Sequence, residues 1–182
     1  MIQSSEHEGF VGNADAVHVA QPADTEVCFA ACVASLVGGE IEQVHGQLVD
    51  RYISDDDGST APPFGTTSIE IVGKQISIEP VQGYTDRAED TLGLIERIDE
   101  RLVQGDPVVL LYKKTNDPED QRHHWVLLTG YHSEDSAVTN VGVMDPQADR
   151  VQYVDPLEVI DMIERTPEVF AYSLVEHNLE GE

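Results

Sequence analysis

Lysine is scarce in this chain. Of 182 residues only Lys74, Lys113 and Lys114 are lysine, and ten basic side chains face 35 Asp and Glu, a formal net charge of −25. Such a surface has little with which to neutralise phosphates, which argues against nucleic acid and anionic membranes as partners. Long apolar runs are also missing: none approaches the ~18 residues of a membrane span. Residues Met1–Glu8 contain no basic region followed by an apolar one, so no secretory signal is expected and the expected location is cytoplasmic. With only two cysteines, Cys28 and Cys32, a disulfide scaffold is excluded. Aromatic residues are few, at 6%, but 40% of the chain is hydrophobic, enough for one core. The length suits one domain. Residues 1–13 are polar with two glycines and read as a flexible N-terminal tail, leaving 14–182 as a single domain.

The acidic, lysine-poor composition fits a protein adapted to high salt. At ~1 M salt the Debye length falls to ~3 Å, and repulsion among surface carboxylates is screened. The carboxylates are spread along the whole chain rather than gathered in one tail, which suits a solvated surface.

Hydrophobic patterning places the elements. Ala16–Val19 reads as a short strand. Cys28–Val37 (CFAACVASLV) is small and apolar nearly all round, so it reads as a buried helix, ended by Gly38-Gly39. Glu40–Ile53 reads as a second helix with Ile41, Val44, Leu48 and Tyr52 on one face. Ser54–Gly65 is a loop by composition. Its run Asp55-Asp56-Asp57-Gly58 lacks the spaced ligands of a calcium loop, so no metal and no cofactor are expected. Alternating β-branched residues mark strands within Thr66–Ile78. A helix capped by Asp86 runs to about Gln104, with Leu92, Ile95, Ile98 and Leu102 inward. Strands follow at 107–112, 124–131, 138–145 and 151–154. Asp155-Pro156 opens a helix, and 169–175 is the last strand. Short connections between the strands predict an α+β fold with a largely antiparallel sheet.

Five residues are candidates for chemistry. Cys28 falls in the first turn of its helix, where unpaired N–H groups and the helix dipole stabilise a thiolate. Cys32 lies one turn further, inside the apolar run, and reads as core packing. His123 and His124 open the most apolar strand; either can serve as the base that thiolate chemistry needs, but adjacent strand residues point to opposite faces. Asp145 closes the next strand and can hold an imidazole in one tautomer. Gln21, seven residues before Cys28, can supply an N–H to an oxyanion.

The order Gln, Cys-helix, His-strand, Asp-Pro resembles the papain-like cysteine peptidases, and more narrowly the bacteriocin-leader (double-glycine) peptidase group. The segments that carry the likeness are QPADTEVCFAACVASLV (21–37), HWVLLTGY (124–131) and Asp145-Pro146, within about residues 17–176. The resemblance implies a papain-like fold with the central N-terminal helix packed on the sheet. It makes Cys28 the nucleophile, His124 the general base, Asp145 the orienting carboxylate and Gln21 the oxyanion donor. It also implies a peptide or protein substrate. Phe29 stands where the leader-peptidase group commonly has Gly, and the Gln–Cys interval is one residue longer than usual. No attached transporter domain is expected, so the specific leader-cleaving role is not carried over. Sequence thus points to a cysteine peptidase or amidohydrolase adapted to high salt. The alternative is a catalytically silent domain of the same fold that binds peptides or proteins. Oligomeric state has no signature in the sequence.

Overall fold

A computed structural model describes residues 9–23, 25, 27–49, 65–81, 91–115, 122–135, 137–166 and 169–177. Helix α1 spans Cys28–Val37. All ten of its residues are buried, as its nearly all-round apolar surface dictates. Gly38 ends it in the left-handed conformation (φ 71°), its N–H bonded to the Ala34 carbonyl at 2.9 Å. Helix α2, Ile41–Val49, turns Ile41, Val44 and Leu48 inward. Tyr52, most of the 54–65 loop and Asp86 lie outside the described residues.

The remaining elements are β1 (Gly9–Gly12), β2 (Thr67–Ile71), β3 (Lys74–Pro80), α3 (Thr91–Val103), β4 (Val108–Lys113), β5 (His123–Glu134), β6 (Ala137–Met144), β7 (Gln152–Val154), α4 (Pro156–Glu164) and β8 (Phe170–His177). The sheet runs β2-β3-β8-β4-β5-β6-β7, with β1 also paired to β5. Every pairing is antiparallel. The α+β class and its antiparallel sheet are therefore as the sequence predicts.

Apolar side chains alternate between the two faces of this sheet. Val109, Trp125, Leu127, Tyr172 and Leu174 join the core that contains α1 and α2. Val108, Leu110, Val126, Leu128 and Ala171 join a second core with α3 and α4. A sheet covered on both sides explains why β4 and β5 read as continuous apolar runs rather than alternating ones.

Three local expectations are corrected. Residues 9–12, expected to belong to a flexible tail, form β1 against Ser133–Gly130 of β5. Two glycines permit this approach: a Cβ on Gly12 (φ 128°) would lie 2.5 Å from the Gly130 Cα. Ala16–Val19 is not a strand. Instead the Val17 carbonyl accepts from the Ser35 hydroxyl of α1, and Val17 N–H reaches the Ser35 carbonyl at 3.4 Å. On α3, Thr91, Leu94, Ile95, Ile98 and Leu102 are buried, whereas Leu92 is 68% exposed. At about 100° per residue, Leu92 sits roughly 100° from the centre of that stripe.

Candidate active site

Cys28 is the first residue of α1 and is buried. No side chain caps this helix start, and the first turn contains no acidic residue. The positive end of the helix dipole is thus not offset from within that turn, which favours a thiolate. Cys32 is wholly buried. Burial first, then the charges of Cys28 and Asp145, push its thiol well above the usual range. Cys32 therefore stays protonated as core, and Asp145 lies within electrostatic reach of α1.

His124 is buried at the start of β5, while its neighbour His123 is exposed. His124 Nε2 donates to Asp145 Oδ1 at 2.6 Å. The same oxygen accepts the Gln147 backbone N–H at 2.8 Å. Burial alone raises the Asp145 pKa. The bonds from His124 and Gln147, with the charges of His124 and Lys114, outweigh it and hold the carboxyl below its usual range. An ionised Asp145 holding Nε2–H leaves Nδ1 as the ring atom free to take a proton. The alternation along β5 that sequence left open is thus resolved for Asp145: it engages His124. Directly across the β4–β5 ladder, the Tyr112 ring meets His124 edge-on with centroids 6.1 Å apart. Burial, then the Asp145 charge, pushes the Tyr112 hydroxyl up to about 12, so it stays neutral.

The segment leading to Cys28 is tied to the Asp145 turn. His18 Nε2–H donates to the Asp145 carbonyl at 3.1 Å, and Gln21 N–H donates to the Pro146 carbonyl at 2.9 Å. The Gln21 side-chain amide donates to the Thr25 carbonyl at 2.9 Å, within the loop that precedes Cys28. Its Oε1 is buried with no partner among the described residues. Trp125 and Met144, the chain neighbours of His124 and Asp145, share the core of Cys28, and Trp125 packs on Phe29 with ring centroids 5.3 Å apart.

Direct bonding therefore unites His124 with Asp145, and the His18 side-chain bond and Gln21 backbone bond join the segment before Cys28 to the same turn. Sequence reasoning missed His18, Tyr112, Lys114 and Gln147. Only Gln147 had a local signal, since Asp-Pro turns commonly bond the backbone two residues on. Among the described residues no three His, Cys, Asp or Glu side chains converge as a metal-ligand set, and no helix is long and apolar enough to cross a membrane.

No curated protein matches the chain. A family model, described as the Peptidase_C39 like family, matches residues 13–165, a span that includes Gln21, Cys28, His124 and Asp145. That family suggests a cysteine-peptidase type of function and peptide or protein substrates. By that match over most of its length, the chain belongs to the Peptidase_C39 like family.

Proposed function

We propose that this protein is a cysteine peptidase or amidohydrolase that works at high salt, with Cys28 as nucleophile and His124 as general base. The observation that carries the proposal is the 2.6 Å bond between His124 and an ionised Asp145, on a turn tied to the loop before Cys28. In this mechanism the Cys28 thiol gives its proton to His124 Nδ1, and the thiolate attacks the scissile carbonyl. The oxyanion is met by the Cys28 N–H and by the Gln21 amide hydrogen not engaged by Thr25. His124 Nδ1–H then protonates the leaving amine. A water, deprotonated by the same nitrogen, hydrolyses the thioester and restores the thiol.

The test is the pH dependence of iodoacetamide alkylation at each cysteine, read by mass spectrometry in several-molar KCl, for wild type and His124→Ala. Selective reaction of Cys28 well below the ~8.5 of a free thiol, lost in the variant, is expected. Equal reactivity of Cys28 and Cys32, or reaction only after unfolding, would favour a silent, peptide-binding domain. The salt component is tested by thermal unfolding across KCl concentrations, with stability expected to rise into the molar range.

A further inference from the structure

We propose that Lys114 is a positioning residue of this site, a cation that fixes the Asp145 carboxylate and lowers the pH range over which Cys28 is reactive. The inference rests on the assignment of Cys28, His124 and Asp145 above.

The geometry is a closed ring of three residues. Lys114 Nζ donates to Gln147 Oε1, the Gln147 backbone N–H donates to Asp145 Oδ1, and Lys114 Nζ lies 4.0 Å from Asp145 Oδ2. Oδ1 already holds His124 and Gln147, so Lys114 is the cation on the other oxygen. Two hydrogen bonds on Oδ1 and the ammonium charge facing Oδ2 favour one setting of the carboxylate, and the imidazole it holds keeps its direction. One of only three lysines in a chain of net charge −25 is spent here.

The charge has a second effect. A cation beside Asp145 competes with the imidazolium for the carboxylate and adds positive potential at the thiolate. It therefore eases loss of the Cys28 proton. Among the described residues, other titratable or charged groups set against this site are His18 on the Asp145 carbonyl, Tyr112 on β4, Cys28 and Cys32 on α1, and Arg165 after α4. The Tyr112 and Cys32 pKa values are raised, so those two stay neutral through the working range. Arg165 is a fixed cation of the same sign as Lys114, paired to Asp161 at 3.0 Å. His18 is common to every variant compared.

The experiment is the Cys28 alkylation profile of Lys114→Gln and Lys114→Arg beside wild type and His124→Ala, at about 0.5 M and at several-molar KCl, with circular dichroism confirming folding. In Lys114→Gln the midpoint is expected to rise by about half a pH unit, less in the higher salt because the ammonium is partly exposed. Lys114→Arg, which restores the cation, is expected to return most of that shift, whereas loss of packing alone would not follow charge. An unmoved midpoint in Lys114→Gln, with a profile that still depends on His124, overturns the role of Lys114 and leaves the thiolate–imidazole pair standing. A profile indifferent to His124 overturns both.

Discussion

The two ends of β5 each place an aspartate against the sheet, and the two are driven in opposite directions. At the start of the strand, Asp145 receives His124, a backbone N–H and a nearby ammonium, and stays charged in spite of burial. At the far end, burial is the largest influence on Asp99 and raises its pKa; a hydrogen bond from the neutral Tyr131 hydroxyl offsets this only partly. Asp99 lies in an apolar groove between α3 and α4 with Ile98, Leu102, Val159 and Ile163. Partners, more than depth, decide whether a carboxylate is ionised. The end that recruits cationic and N–H partners is the end suited to chemistry.

Substitutions at the two ends separate these roles. The largest effect is expected at the start: Cys28→Ser or His124→Ala should lower peptide-hydrolysing kcat/KM by 10³-fold or more, as is common when a nucleophile or its base is removed. His132→Ala, at the far end between Phe10 and Tyr153, should leave it within about twofold; an equal loss there would erase the distinction. Next comes backbone crowding at the far end. Gly130 has φ 152°, and a Cβ there would overlap the Val11 carbonyl oxygen. Gly130→Ala should destabilise by about 3 kcal/mol in thermal or denaturant unfolding, because β1 must pull away. The smallest effect concerns Asp99. Its raised folded pKa gives stability that is present below the unfolded value of ~3.9 and is lost as pH rises through the folded value. Asp99→Asn keeps an acceptor for Tyr131 but carries no charge. Its melting temperature should match wild type near pH 3 and exceed it by roughly 1–2 °C at pH 7, a small gain because the group is only half-buried. A lower melting temperature at pH 7 would mean that the ionised form is favoured there, as at Asp145.

What sequence made legible follows the range of the forces involved. Helix α1 is read to the residue because a run of nine apolar side chains and one serine, closed by a glycine stop, is a local fact. The same holds for the Asp155 cap of α4, whose carboxylate accepts the Leu157 N–H at 2.9 Å. Leu92 was misplaced because it is as apolar as Leu94, and only packing against the sheet selects between them. Strand β1 was missed because glycines at 9 and 12 are poor strand formers alone; the pairing exists through Gly130, far along the chain. At the site, residue types and order pointed to Cys28, His124 and Asp145, but the choice of His124 over His123 for Asp145 depends on a hydrogen bond across 21 positions. Lys114 carried no signal at all, since a lysine opening a polar loop looks like any solvated side chain.

The bonds from His18 to Asp145 and from Gln21 to Pro146 also bear on the order of assembly. They close loops of well over a hundred residues, the first across 127 positions, and β1 reaches β5 across a similar span. Contacts of such separation form late, because their closure entropy must be met before they contribute. During synthesis the thiol leaves the ribosome long before its partners. At ~5–20 residues per second the stretch from Cys28 to Asp145 takes several seconds or more to appear. Through that interval the nascent chain holds an ordinary thiol, and in the proposed mechanism its activation waits until the second half of the sheet has closed.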